Sequence, residues 1–210
     1  MMNSPFRTLL LTAVVVCATA TNAQRTIRLN AFGGWTFQDK FDISGTYGGY
    51  AYNNAGIGDG AHYGGGLEFE VRENKCVELF YQNQSAQGFI DYGLGQFTTD
   101  VSVNYAMLGG LGYAPFSDAV HGYGGFNIGA AWFNTDYGNS TKFAWGGKLG
   151  LKINASEKVG IKLGAQLLSP VQGAGGGIYF GTGGAGAGVS TYSTMYQFGF
   201  TGGLCFTLGQ

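Results

Sequence analysis

Two hundred and ten residues with 45% apolar content suffice for one sizeable domain and exclude general disorder. Charged residues make up only 11%, against about 25% in an average soluble domain, which is too few to clothe a water-facing surface. The 11 basic and 12 acidic residues leave no basic surplus for nucleic acid, and 40 glycines with no collagen-like period exclude a fibrous chain.

Residues 1–23 read as a secretory signal: Arg7 supplies the charged start, Leu9 to Ala18 the apolar core, and Thr21-Asn22-Ala23 a small-residue cleavage site. The mature chain, 24–210, is expected to begin at Gln24. No later segment approaches the roughly 18 continuous apolar residues of a spanning helix. Cys17 follows the bulky Val16, which disfavours lipid attachment.

Eight segments of period-two alternation follow. The first, from Ile27 to Phe37, sets Leu29, Ala31, Gly33 and Trp35 against Arg28, Asn30, Phe32 and Thr36. After a long Gly- and Tyr-rich gap to Ala61, the second sets Tyr63, Leu67, Phe69 and Val71 against His62, Glu68, Glu70 and Arg72. A tight Glu73-Asn74-Lys75 turn leads to the third, with Val77, Leu79 and Tyr81 opposite Glu78, Phe80 and Gln82. The chain from Gln84 to Thr99 reads as a loop. The fourth puts Val101, Val103, Tyr105, Met107, Leu111 and Tyr113 on the outward face and Ser102, Asn104 and Ala106 on the other.

A short link, Ala114 to Val120, precedes the fifth segment, with Phe126, Ile128, Ala130 and Trp132 outward. Tyr123 and Phe133 fall on the opposite face, so the large apolar residues of this segment divide between its two faces. After a gap from Asn134 to Thr141, the sixth alternates Phe143, Trp145, Leu149, Leu151 and Ile153 with Lys142, Ala144, Lys148 and Lys152. A slip of one residue would turn its lysines outward. The turn at Ala155 to Lys158 leads to the seventh, with Val159, Ile161, Leu163, Ala165 and Leu167 opposite Lys162 and Gln166. A gap of small residues, Ser169 to Thr191, leads to the eighth, with Tyr196, Phe198, Phe200, Leu204, Phe206 and Leu208 on one face.

The gaps alternate long and short. Of about 45 outward positions not one is Asp, Glu, Lys or Arg, where random placement would give about five. A soluble barrel would show the reverse, an apolar interior and a charged exterior. The pattern predicts an all-β fold, an eight-stranded antiparallel up-and-down transmembrane β-barrel, with tight turns on one side of the membrane and long loops on the other. Trp35, Phe37, Tyr63, Trp132, Phe143, Trp145, Tyr196 and Phe198 fall near the loop end, and Tyr113 and Phe206 near the other, as two interfacial belts.

A barrel of eight strands is filled by its own side chains, so its inward charges need partners. Glu68, Glu70 and Glu78 face Lys148, Lys152 and Lys162 from the opposite wall, with Arg28 and Arg72 toward the turn end. These residues are expected to form a structural ion-pair network, with Glu68 and Lys148 level near mid-membrane. The same charges lining a conduction path is the rival reading. Cys76 and Cys205 fall on distant strands, which favours two unpaired lumen residues over a disulfide.

Catalytic and cofactor chemistry finds little footing. His62, with Asp59 three residues before it, is placed at the mouth, and no serine shares its strand face for nucleophilic work. His121 lies at the opposite end. Asp39, Asp42 and Asp59 match no calcium-loop spacing, and the Gly173 to Gly188 run lacks the Gly-Lys-Ser/Thr of a phosphate loop. No catalytic residue, metal site or cofactor is expected.

The signal ending at Thr21-Asn22-Ala23, the eight alternating segments and the aromatic closing strand from Tyr196 to Leu208 resemble the small bacterial outer-membrane β-barrels of the outer-membrane protein A and X type, porin-like or opacity-like. Members usually end in an aromatic residue that aids insertion, whereas this chain ends Phe206-Thr207-Leu208-Gly209-Gln210, so Phe206 stands in. The resemblance implies an integral outer-membrane protein with periplasmic termini and extracellular loops. Its surroundings would be outer-membrane lipid and lipopolysaccharide, with the barrel-assembly machinery acting at insertion. The expected role is structural or surface-interacting, through an extracellular ligand or surface met by the loops Gln38 to Ala61 and Ser169 to Thr191. The alternatives are a narrow passive channel and, third, a lipid A-modifying hydrolase or acyltransferase.

Overall fold

The structure, a computed structural model, describes residues 26–47, 50–92, 95–135, 138–171 and 195–209. The expected signal segment, 1–23, and most of the last gap, 172–191, lie outside them. Ten antiparallel strands follow in order: β1 (Ile27–Thr36), β2 (Asp39–Tyr47), β3 (Tyr50–Ile57), β4 (Gly60–Arg72), β5 (Lys75–Tyr92), β6 (Gly95–Pro115), β7 (Val120–Thr135), β8 (Gly138–Asn154), β9 (Val159–Pro170) and β10 (Gln197–Gly209). All but β2 and β3 close into one ring of eight, in which β1 pairs with both β4 and β10, and β5 with both β4 and β6.

One end of the ring carries the tight turns. At the first, Asn74 takes a φ of 59°, the left-handed region that asparagine tolerates better than most residues. At the 155–158 turn, the Ser156 hydroxyl accepts from the Val159 amide at 3.1 Å. The ends of β1 and β10 meet here, Ile27 opposite Gly209.

The other end grows well past the ring. Two stretches read as loops are strands: β5 and β6 stay paired out to Tyr92 opposite Gly95, taking in Gln84 to Tyr92 and Gly95 to Thr99, and the Gln38 to Ala61 gap holds the β2–β3 hairpin. The gap from Asn134 to Thr141 shortens likewise, with Thr135 paired to Gly138. The hairpin joins the wall because β3 pairs with the far part of β5, Ala55 opposite Ile90 and Ile57 opposite Gly88. Outside a membrane no lipid enforces apolar residues on the outer face, so alternation fades while backbone pairing continues.

Around the ring the outer wall is apolar: Leu29, Leu79, Leu108, Ile128, Leu149, Leu163, Phe200 and Leu204 are all exposed, while Asn30, Glu68, Glu78, Gln82, Asn127 and Gln166 are buried inside. That is inside-out relative to a soluble protein. β6 corrects the sequence reading. Its Val101, Val103, Tyr105, Met107 and Leu111 are buried in the lumen, and Ala106 and Leu108 face out. The register explains it, since Met107 lies opposite inward Phe80 and Leu108 opposite outward Leu79. Ser102, Asn104, Ala106, Leu108, Gly110 and Gly112 carry no charge either, so the exclusion of charge from the wall survives the inversion. On β7, Tyr123 and Phe133 point inward and are buried.

The same inversion removes Tyr113 from the turn-end belt, for its hydroxyl donates to Glu68 inside the barrel. Phe116, on the adjacent turn, is the aromatic exposed at that end. Toward the loop end, Phe37, Phe198 and Phe200 pack on one another outside with centroids 5.3–5.9 Å apart. Beyond Trp132 the wall turns polar, where Tyr81 and Asn83 donate to the Asn104 carbonyl at 3.0 and 2.9 Å.

The orientation of β6 is directly testable. Leu108→Cys should react with a lipid-soluble thiol reagent in vesicles and Met107→Cys should not, with the native Cys76 and Cys205 replaced by serine in both. Leu108→Lys should lower stability in urea unfolding from vesicles by about 2–4 kcal/mol, the cost of a cation near the bilayer midplane. The opposite labelling pattern would restore the sequence-based phase.

Candidate functional site

The lumen is built in layers. At its centre Glu68, on β4 and fully buried, faces Arg28 on β1 and Glu78 on β5 by register. Two carboxylates directly opposite each other repel, so each takes its own cation. Lys162, on β9, lies 2.6 Å from Glu68, and Lys148, on β8, 2.7 Å from Glu78. Glu68 also accepts from Asn30 at 2.6 Å and from the Tyr113 hydroxyl at 2.7 Å. Glu78 accepts from Asn127 at 3.0 Å. These neutral donors occupy lone pairs that would otherwise face an unsolvated interior.

The pairing differs from the expected level match of Glu68 with Lys148, because the stagger of the ring brings Lys162 to Glu68 and leaves Lys148 for Glu78. Arg28 reaches Glu70 at 2.8 Å and stands 3.9 Å from Glu68. Arg72 is corrected outright: it is exposed beside the 73–74 turn, paired with Lys75 in register and outside the lumen. Lys152 makes no ion pair within 4.0 Å with the described carboxylates; its ammonium stands 5.8 Å from the Tyr113 ring.

Aromatic rings enclose the cations. Lys148 lies 4.0 Å from the centroid of Phe80, and Lys162 lies 4.4 Å from that of Tyr123, distances at which ring faces attract a cation. Tyr123 leans over Gly150 and Gly164, a cross-strand pair; a methyl group added at Gly150 would sit 2.7 Å from its hydroxyl oxygen. Cys76 and Cys205 are both free and buried, and Arg28 donates to the Cys76 sulfur at 3.2 Å.

Above this layer the lumen is crossed from wall to wall. Gln166 on β9 donates to Gln82 on β5 at 2.6 Å, and Tyr105 on β6 donates to Gln197 on β10 at 2.5 Å. Phe32 stacks on Phe80 at 5.4 Å. Val103, Met107, Phe133, Leu168 and Met195 fill the space around the rungs, and the packing continues past the ring into Ala55, Ile57, Ile90 and Val101. Between the ion pairs and the rungs lies a cavity of about 40 Å³ beside Asn30, Phe80 and Gln166, on the scale of a single water molecule. A larger pocket of about 410 Å³ lies at the turn end.

His62 is not at the mouth but buried in the lumen, where its Nδ1 and the Thr36 hydroxyl are 2.8 Å apart. Its ring lies over Gly34, where a methyl group would come within 2.6 Å of Nε2. Asp59 is exposed on the connection between β3 and β4. Asp39 anchors the extension, accepting from the Tyr196 amide at 2.6 Å; its burial raises the carboxyl above its ordinary range, against the pull of the Tyr196 and Lys40 amides.

A closed ring of eight antiparallel strands, apolar outside and polar within, with tight turns at one end, is the small bacterial outer-membrane β-barrel fold. No family model matches the chain, and no curated protein matches it in sequence. Solved structures match in fold. Outer membrane protein OprG from Pseudomonas aeruginosa aligns over 90% of this chain and 97% of its own at 14% identity, with a TM-score of 0.60. Neisserial surface protein A aligns over 89% and 98% at 10% identity, with a TM-score of 0.58. Outer membrane protein AlkL aligns over 91% and 94% at 13% identity, with a TM-score of 0.54.

A double-mutant cycle read by urea unfolding in vesicles tests the observed pairing. Glu68→Gln alone should destabilise by about 3–5 kcal/mol, since it strands buried cations. Glu68→Gln should couple strongly to Lys162→Met and Glu78→Gln to Lys148→Met, while Glu68→Gln with Lys148→Met should be closer to additive. Equal coupling in all three cycles would show a diffuse field rather than defined pairs.

Proposed function

We propose that this chain is a non-enzymatic, integral outer-membrane barrel that meets an extracellular ligand or surface through its loop end, and that its lumen is a structural plug. The observation that carries this reading is the filled lumen, crossed by bonded rungs from Gln82 to Gln166 and from Tyr105 to Gln197 and stacked with Phe32 on Phe80. A path for solutes would have to break these contacts and the ion pairs below them. Tight turns belong on the periplasmic face of such barrels, which would put the turn end and the paired ends of β1 and β10 there and the extension outside the cell.

The extension supports a role in contact. β5 and β6 run on as a paired ribbon, the β2–β3 hairpin is bonded to it, and Gln87, Gln96, Thr98 and Asp100 lie exposed along it. In this reading the apolar wall takes outer-membrane lipid, its loop-end rim adjoins lipopolysaccharide, and the barrel-assembly machinery inserts the chain.

In planar bilayers the protein should give only rare, small openings, and sustained conductance of small ions would favour a narrow channel instead. Replacing residues 40–56 with a short turn should leave a barrel that still inserts and still shifts in gel mobility on heating, but lose attachment of bacteria to host-cell or matrix surfaces. Undiminished attachment would remove the hairpin from the contact surface, and altered lipid A by mass spectrometry would restore the enzymatic alternative.

A further inference from the structure

The turn-end pocket holds a charge that the ion-pair network does not use. Among the described residues of this half of the lumen, the inward cations are Arg28, Lys148, Lys152 and Lys162, and the carboxylates are Glu68, Glu70 and Glu78. Glu68 takes Lys162, Glu78 takes Lys148 and Glu70 takes Arg28, so Lys152 is left over. Its neighbours sharpen the imbalance, because register places it directly between His121 on β7 and Lys162 on β9. A cation opposite another cation across a ladder is destabilising.

Lys152, Arg28, His121 and Thr207 line the same pocket of about 410 Å³. The Tyr113 ring lies 5.4 Å from the Arg28 guanidinium carbon and 5.8 Å from the Lys152 ammonium. The pocket's acids, Asp118 and Glu157, are exposed on the two turns at its rim. The interior face is therefore cationic, and the negative charge sits at the edge in water.

We propose that this pocket binds one oxyanion group, a phosphate or carboxylate carried on a small molecule, with Lys152 as its principal charge partner and Arg28 and His121 lining the site beside it. Charge-assisted hydrogen bonds from an ammonium to such oxygens are among the strong ones, and the volume lies within the range of small-molecule sites. The bound anion offsets the surplus of Lys152 and relieves its repulsion by Lys162. The acidic rim disfavours polyanions and favours a compact ligand of low charge. The site does not depend on which compartment the turn end faces, so it stands or falls separately from the contact role of the loop end.

The test uses the full mature barrel, refolded in a zwitterionic detergent, titrated separately with inorganic phosphate and with acetate at constant ionic strength. Saturable binding of one equivalent should move the Lys152 ammonium and His121 ring resonances in NMR spectra. Lys152→Met should weaken it by about tenfold or more, the scale of one lost charge-assisted hydrogen bond. Lys152→Arg should retain binding, and Lys158→Met, on the exposed 155–158 turn, should leave it unchanged. Saturation by phosphate alone assigns a phosphate ligand, by acetate alone or by both a carboxylate-tolerant site. The proposal is overturned if neither probe saturates across the millimolar range, or if Lys152→Met binds as tightly as the unaltered chain. Should that variant fail to fold, the resonances of the unaltered chain decide: unmoved Lys152 and His121 signals overturn the proposal.

Discussion

Glu68 is a carboxylate with no exposure, and the ring around it is arranged to make that tolerable. A lone buried charge costs several kcal/mol or more, yet this one collects a lysine from β9, an amide from β1, a phenol from β6 and the approach of Arg28. Those donors come from three strands, no two of which are paired with each other in the ring. The centre of the barrel is consequently a check on register: moving any of these strands by one residue withdraws a donor from Glu68 and turns a charged or polar side chain toward the outer wall. The cost of error is paid at both faces at once.

The two halves of the lumen divide the work. The turn-end half is ionic, with Glu68, Glu70 and Glu78 satisfied by Arg28, Lys148 and Lys162. The loop-end half is more apolar, with amide and phenol rungs set among Val103, Met107, Phe133, Leu168 and Met195. The apolar packing continues past the ring into the extension, so the β2–β3 hairpin shares a core with the barrel.

This division explains what the sequence disclosed. The eight strands were legible wherever one face carries charge: Lys148 and Lys152 fix the phase of β8, and Glu68 and Glu70 that of β4. On the ring portion of β6, 101–115, neither face is charged, because its inward side chains fill the apolar half, so Val103, Tyr105 and Met107 give the period of a strand without saying which way it points. Alternation reports contrast between two faces, and here the contrast is between apolar and small rather than apolar and charged. The ion pairs were legible as a set, Arg72 and Lys152 excepted, but not as partners. Composition of the faces gives which charges are inside, whereas the match of Lys162 rather than Lys148 to Glu68 depends on ring stagger, to which no single strand's pattern responds. The burial of Asn30 and Asn127 had a visible signal, an amide on the inward parity of its strand. Tyr113 was hidden by the inverted phase.

The extension bears on how such a surface would bind. A loop of the length of Gln38 to Ala61, if loose, would lose conformational entropy on meeting a partner, and that loss subtracts from affinity. Here much of the ordering has already occurred on folding: β3 is bonded to β5, Asp39 holds the Tyr196 amide, and Ile57 and Ala55 are packed with Ile90 and Val101. The length that appears as a long gap in the sequence is spent on main-chain pairing, so polar side chains such as Gln87 and Gln96 project from a fixed ribbon. A surface of that kind selects by position rather than by adapting, and its contacts are correspondingly sensitive to the core beneath: a cavity opened at Ile57 would loosen the hairpin without touching the residues that face outward.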